Sequence, residues 1–337
     1  MTDVIIIGAG PAGCTAAKTL AQNGYSVILL EKNKLPRYKS CSGQIIKKTA
    51  DLVREYFGED IPQSVTCAPA LNKGMVFTNR FGKEFVFEQN GYNVWRNNFD
   101  MWLCEKAAAC GAKILEEQTV VSCRDTDDTV EVEITGKNRY NIKAGYVIDC
   151  EGAVGAVKRK LLHKKGRSII TFQTFNKGSI DLDRHYFYAF LQPELSQYDA
   201  WLNVKDNNIV IGVAVKDQQN IDMYYNRFVD YLSEKYFLKL QQQLKTDKWL
   251  MPLVDNKHSI ECGVGRVLFA GETAGFLNPM GEGISSAVES GYRAARAVMS
   301  CFETPDSVLA KYEESTQPLR DYMKRQWEFV SKLNGFF

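Results

Sequence analysis

One stretch constrains this chain more than any other: Val4-Ile5-Ile6-Ile7-Gly8-Ala9-Gly10-Pro11-Ala12-Gly13, answered downstream by Val27-Ile28-Leu29-Leu30-Glu31-Lys32. Four consecutive apolar residues read as a strand buried on both faces, since a half-exposed strand would alternate. The run ends in Gly-x-Gly-x-x-Gly where an apolar helix pattern begins. Gly8 permits the tight turn, Gly10 lets backbone amides approach a pyrophosphate, and Gly13 lets helix and strand pack closely. Pro11 and Ala12 lie in the same turn, so the helix N-terminus faces the anion. Glu31 closes the second strand and can accept hydrogen bonds from both hydroxyls of an adenosine ribose, with Lys32 beside it. A lone glycine fingerprint is weak, but here strand, turn, helix, second strand and acid stand in register. The expectation is a dinucleotide site.

Composition narrows the class. The 337 residues are 45% hydrophobic and 24% charged, an ordinary globular balance for one large or two interleaved domains. A formal net charge of +2, with no long run of Lys and Arg, gives no footprint for nucleic acid. Nine scattered cysteines, never spaced C-x-x-C, argue against a disulfide framework or structural zinc and for a reducing compartment. His163, His185 and His258 show no spacing for a metal or a nucleophile triad. The apolar residues behind Met1 belong to the first strand, so no secretory leader is expected, and no apolar run has bilayer-spanning length. The expected location is the cytoplasm, with peripheral membrane contact left open.

Further along, residues 33–43 form a loop containing Pro36, the cations Lys34, Arg37 and Lys39, and the small residues Ser40, Ser42 and Gly43, which would let backbone approach a flat ligand. Residues 44–57 have helical spacing. Residues 74–90 read as a hairpin that begins a second sheet. Val94 to Leu103 passes from strand into a helix ending near Gly111, with Asn97 or Asn98 expected as its cap and Arg96 at the junction. Segments from Lys113 to Ile142 alternate at period two, as in an antiparallel meander containing Val121. Tyr146–Asp149 then returns to a buried strand followed by Glu151-Gly152. Residues 168–215 are strand-rich and aromatic, a candidate floor for an apolar substrate, and 221–245 read as one or two helices. A third glycine-rich stretch, Gly271-Glu272 through Gly281-Glu282-Gly283-Ile284, opens a helix over 283–301, again aiming backbone amides at an electron-rich group. Residues 306–335 read as an amphipathic helix whose Trp327, Phe329, Phe336 and Phe337 either pack on the domain or form a membrane-surface foot.

These motifs, in this order, resemble the geranylgeranyl reductase family of FAD-dependent oxidoreductases, within the p-hydroxybenzoate hydroxylase-like superfamily, over nearly the whole chain. The resemblance implies an α/β protein: an FAD-binding Rossmann-like domain of the glutathione reductase type, with an inserted mixed β-sheet substrate domain and C-terminal helices. The implied boundaries are 1–73, 92–165 and 262–303 for the discontinuous FAD domain, 74–91 and 166–261 for the substrate sheet, and 304–337 for the helical end. Gly8 to Gly13 and Glu31 resemble the ADP site. Pro36, Lys39, Cys41 and Gly43 match the family's Pro-x-x-Lys-x-Cys-Gly-Gly loop, with Ser42 in place of the first glycine. Arg96 resembles the family's arginine near the flavin. Gly271-Glu272 and Gly281 to Ile284 resemble the stretch holding the ribityl chain and the pyrimidine end of the ring.

The chain also departs from the family. Glu272 stands where Asp is usual, and the loop from Phe276 to Gly281 is one residue short. The prenyl-pocket motif Tyr-x-Trp-x-Phe-Pro-Lys survives only as Trp201 and Lys205, with Asp199, Asn203 and Val204 at its other marked positions.

The implied chemistry is hydride transfer from reduced flavin to a carbon-carbon double bond of a small apolar, isoprenoid-like substrate. The Gly281 to Ile284 turn is expected to stabilise negative charge on the ring's pyrimidine edge, and Cys41 is the candidate proton donor, or else an inert packing thiol. Two rivals stand beside it: monooxygenation of an aromatic or alkene substrate on the same architecture, and a flavin-binding protein without turnover. The single dinucleotide fingerprint is taken by FAD, so electrons would come from transiently bound NAD(P)H or from a ferredoxin-like or quinol donor.

Overall fold

The computed structural model describes residues 1–126, 128–164, 166–254, 258–279 and 281–334, with side chains up to 329. Phe336 and Phe337 therefore lie outside the described residues.

Two eight-stranded sheets carry the chain. In the first, Val267–Phe269, Arg139–Asp149, Thr2–Ile7, Val27–Leu30 and Lys113–Leu115 lie parallel in that order. Val4, Ile5 and Ile6 are fully buried, as the non-alternating run requires of a central parallel strand. Arg139–Asp149 serves twice. Its first half pairs antiparallel with Val130–Thr135, which pairs with Thr119–Asp125 to make the meander, and its second half joins Thr2–Ile7 in the parallel layer. Lys113–Leu115, expected in the meander, instead pairs parallel with Ile28–Leu30. A three-residue strand cannot show its partner through periodicity.

The helix Pro11–Gln22 begins with proline at its first position, where a missing N–H costs nothing. It packs on Ile284–Ser300, and the approach is close enough that a Cβ on Gly291 would lie 2.2 Å from the carbonyl oxygen of Ala12. Gly58, in the left-handed region at φ +76°, closes Lys47–Phe57. The helix Arg96–Ala109 starts directly after Trp95, with no side chain capping it, so neither Asn97 nor Asn98 has the capping role expected from sequence.

The second sheet runs Lys239–Pro252, Ser168–Ser179, Asn208–Val215, Ala200–Lys205, Tyr186–Phe190, Thr66–Thr78, Glu84–Val94 and Gln44–Ile45. Its long hairpin starts at Thr66 rather than 74. The residues after Tyr236, expected to stay helical, leave helix Ile221–Tyr236 through Phe237 in the left-handed region and enter the strand Lys239–Pro252. That helix covers one face of the sheet, burying Phe228 and Leu232 against Phe190, Ile211 and Val213. The other face carries Gln173, Phe187, Asp199 and Trp201 and looks toward the glycine turns of the first sheet. Helix Val308–Asn334 closes the back of the parallel layer through Tyr312, whose hydroxyl donates to the Phe269 carbonyl at 2.9 Å. Its Trp327 donates to the Leu277 carbonyl at 3.2 Å, so this ring packs on the protein. Among the described residues, no helix is long and apolar enough to cross a membrane.

Candidate active site

A cleft separates the two sheets. The parallel layer supplies Gly8, Gly10, Pro11, Ala12, Glu31, Lys32, Glu151, Gly271, Glu272, Gly281, Gly283 and Ile284. The loop between the second strand and Gln44 supplies Arg37 through Ser42, and Arg96 reaches in from its helix. The facing sheet adds Gln173, Phe187, Asp199, Trp201, Trp249 and Met251. The empty space, including the open mouth, is about 1730 Å³.

Glycine geometry distinguishes what the fold needs from what it leaves free. A Cβ on Gly8, which sits at φ +96°, would lie 2.6 Å from the Cys150 carbonyl oxygen, and one on Gly13 would lie 2.0 Å from that of Gly8. Both positions are closed by the protein itself. Gly10 differs: its Cβ would meet only an Arg37 nitrogen, at an ordinary 3.5 Å. The empty volume over Gly10 lies at the helix N-terminus, where the dipole favours an anion.

Glu31 is only 3% exposed. Its Oε2 accepts from the Ala9 amide at 3.0 Å and from Arg37 Nε at 3.1 Å, and its Oε1 accepts from the Asn33 amide at 3.0 Å. Oε1 thus keeps capacity for a further donor. Arg37 also bonds Asp100 Oδ2 at 3.1 Å and the Ala9 carbonyl at 3.1 Å. Arg96 grips the same Asp100 with two bonds of 2.8 Å. Two arginines and two carboxylates therefore form one buried, charge-balanced chain from the second strand to the helix of Arg96. Burial is the largest single influence on both guanidiniums and opposes their charge, but Asp100 together with Glu31 at Arg37, and with Cys41 at Arg96, outweighs it and holds both above their ordinary range. In the sequence Arg37 reads only as a loop cation. Its partners Glu31 and Asp100 lie 6 and 63 residues away, beyond any local pattern.

Cys41 sits near the Arg96 guanidinium, and its sulfur accepts from the Gly43 amide at 3.4 Å. Ser42 lines the cleft, whereas Gly43 lies beneath it, held between the Val94 carbonyl and Lys205 Nζ. Lys205 is 1% exposed and stacks its ammonium 4.2 Å from the Trp95 ring, so it underlies the cleft rather than lining it as Trp201 does. Burial pulls its pKa down to about 8. Val121 lies at a register shift in the meander, and it is the preceding Val120 that reaches the cleft.

At the far end, Gly271 donates its amide to Ser290 Oγ at 2.8 Å. The longer Glu272 accepts from the Ala153 amide at 3.1 Å and stands 3.7 Å from Lys39 Nζ, which in turn lies 4.7 Å over the Trp249 ring. Glu282 caps the second helix itself, accepting from the Ser285 amide and hydroxyl at 2.8 Å each. Part of that helix's first turn is thus already satisfied, and Gly281, Gly283 and Ile284 are its cleft-facing positions.

A family model described as an FAD binding domain matches residues 1–326. The chain belongs to that FAD-binding family. It is a FAD-dependent oxidoreductase. It is 27% identical over 328 residues to a digeranylgeranylglycerophospholipid reductase of Methanosarcina acetivorans, covering 93% of this chain and 78% of that one. It is 26% identical over 317 residues to the geranylgeranyl diphosphate reductase of Rhodobacter capsulatus, covering 88% and 75%. A geranylgeranyl bacteriochlorophyll reductase-like protein from Thermoplasma acidophilum superposes with a TM-score of 0.83 at 19% identity, covering 98% and 87%. A flavin-dependent halogenase superposes with 0.77 at 20%, covering 98% and 64%. These two structures share the fold of this flavoprotein.

FAD fits the residues present. The free space at Gly10 suits the pyrophosphate, the spare acceptor capacity of Glu31 suits a ribose hydroxyl, and the small residues from Ser40 to Ser42 and Gly281 to Gly283 leave a slot for a flat ring between the sheets.

Proposed function

We propose that this flavoprotein reduces a carbon-carbon double bond of an apolar, isoprenoid-like substrate. One observation carries the reading: the wall opposite the glycine turns presents Phe187, Trp201, Trp249 and Met251 to the cleft, backed by a packed aromatic cluster. Trp201 and Met251 pack with Phe187, and Phe187 packs with Phe77, Ala189 and Leu191. Phe77 stacks on Phe85 and on Phe87, each with ring centroids 5.2 Å apart, and Phe87 is 46% exposed at the surface. A hydrocarbon lying against Phe187, Trp201 and Met251 would leave water there, at about 0.8 kcal/mol per buried CH₂. The reductase names of the relatives support the same chemistry.

FAD, when bound, supplies the hydride. The chain's own residues bind and orient it: backbone around Gly10 toward phosphate, Glu31 toward ribose, Arg96 and Cys41 beside the ring slot. Trp201, Phe187 and Met251 exclude water from the reacting carbon. Electrons reach the cofactor from NAD(P)H or from a ferredoxin-like or quinol donor, since the single fingerprint turn is already committed.

The test is direct. FAD-loaded protein is reduced anaerobically with dithionite and mixed with geranylgeranyl diphosphate, and the flavin absorbance is followed. Return of the oxidised spectrum with formation of a saturated product supports the reading. Oxidation that requires oxygen and yields a hydroxylated product replaces it with monooxygenation.

A further inference from the structure

An isolated alkene is a poor hydride acceptor, so its reduction needs a proton at one carbon as the hydride arrives at the other. The cleft holds several acids, and most of them are engaged by cations or amides of the protein. Glu31 is held by Arg37 and two amides, and Glu272 by Lys39 and the Ala153 amide; Glu151 is pushed up by burial but accepts from the Val157 amide at 2.9 Å, at the nucleotide side of the cleft. Tyr38 bonds Asp247, which is itself paired with Lys245. A carboxylate held by cations or amides is a poor acid, because those partners favour the charged form.

Asp199 is the exception. It lines the cleft two residues before Trp201, and residues two apart on an extended chain share a face. Its carbonyl accepts from the Ala214 amide at 2.9 Å, which anchors the backbone. Its carboxyl meets its own backbone amide, and among the described residues no ion pair or other residue's donor holds it. On the same face, the other strands of this sheet offer Phe187, Thr171, Gln173, Trp249 and Met251 at the cleft, none of them charged. Charged groups on the elements around this face are already committed: Lys39 to Glu272, and Asp247 to Lys245 and Tyr38. Burial, opposed only by that one amide, pushes the Asp199 carboxyl up to about 7, so it carries a proton into the neutral range.

We propose that Asp199 is the proton donor of the reduction, the catalytic acid facing the substrate across the Trp201 wall. The inference rests on the reductase reading above. In the step, the Asp199 O–H bond breaks and a C–H bond forms at one alkene carbon. The hydride from the reduced cofactor forms the C–H bond at the other, supplying both electrons, and the carboxylate regains its proton from solvent.

Two readouts test it on the FAD-loaded protein. The first is infrared spectroscopy of the protonated carboxyl as a function of pH. The wild type should show a band that titrates near 7 and is missing in Asp199→Asn. The second is anaerobic reoxidation of dithionite-reduced protein by geranylgeranyl diphosphate. The wild-type rate should fall as pH rises past 7. Asp199→Asn should be slower by about 100-fold or more, the usual range for losing a general acid, while binding FAD and accepting electrons from dithionite as the wild type does. Asp199→Glu should recover part of the rate, with its own shifted pH profile. An Asp199→Asn protein that reoxidises at the wild-type rate overturns the proposal, as does a carboxyl band that titrates in the ordinary carboxylate range. A wild type that stays reduced in the presence of the alkene fails the reductase reading, and the donor role falls with it. The infrared titration distinguishes that failure from a misassigned acid.

Discussion

Arg96 and Asp100, four residues apart on one helix, are locked by two parallel hydrogen bonds of 2.8 Å, and the opposite edge of that carboxylate receives Arg37. Asp100 is 1% exposed. Removing it would leave two guanidiniums facing each other out of water. Asp100→Ala is therefore expected to lower stability by about 3–5 kcal/mol, the usual cost of stranding a buried charge. Denaturant unfolding of the cofactor-free protein measures this. Asp100→Asn, which keeps the shape, should lose less.

The glycines of the first turn should separate folding from binding. A Cβ at position 13 would stand 2.0 Å from the Gly8 carbonyl oxygen, so Gly13→Ala should lose both thermal stability and FAD. A Cβ at position 10 meets nothing closer than 3.5 Å, so Gly10→Ala should unfold within about 1 kcal/mol of the wild type. It would place a methyl group where the pyrophosphate approaches. FAD titration monitored by flavin fluorescence should then show affinity reduced by at least about tenfold, or 1.4 kcal/mol.

Lys205 gives a pH signature. Its ammonium is buried under the cleft floor, which lowers its pKa from the ordinary lysine value of 10.5 to about 8. The folded protein thus prefers the neutral amine. The stability that preference contributes is fully present above the ordinary lysine range and is lost as pH falls through about 8. Unfolding free energy should rise between pH 8 and 10 by an amount that Lys205→Met removes. At pH 7 the methionine variant should be the more stable by about 2–3 kcal/mol, since each tenfold loss of proton affinity on folding costs about 1.4 kcal/mol. Paired denaturant titrations of the two proteins at pH 7 and 10 check both statements.

Cys41 lies near Arg96 and its sulfur accepts from the Gly43 amide. With Asp199 as the acid, the thiol acts in packing and orientation. Cys41→Ala is expected to keep FAD and to lower turnover by less than about tenfold. A loss of 100-fold or more with FAD still bound would give the thiol a chemical role of general-acid size.

Much of the nucleotide half could be read from local sequence. The run Val4 to Ile7, the glycines at 8, 10 and 13, and Glu31 act within about thirty residues. Their constraints of strand burial, positive φ and helix start belong to the backbone, which a sequence pattern reports directly. The same holds for Gly271 and for Gly281 to Ile284. Segment boundaries were harder where two elements abut without a glycine or proline to stop them. The chain turns from helix to strand after Tyr236 through a left-handed Phe237, a residue with no sequence preference for that conformation. Thr66–Thr78 begins its strand well before the apolar alternation becomes visible.

The sequence by itself determined that a buried parallel strand ends in a phosphate-sized turn, that an acid follows the second strand, and that a small-residue loop and a second glycine turn are available to a long cofactor. Only the tertiary structure decided how these parts are wired together. Arg37 reaches Asp100 across 63 residues of chain and ties it to Glu31, Lys205 goes under the floor while Trp201 lines the wall, Val120 rather than Val121 faces the cleft, and Asp199 sits on the aromatic side of the cleft with, among the described residues, no ion pair at its carboxyl. Those outcomes depend on which faces of two sheets meet. Charge balance and desolvation are set by neighbours distant in sequence, and a residue's chemistry follows its surroundings rather than its position in a motif.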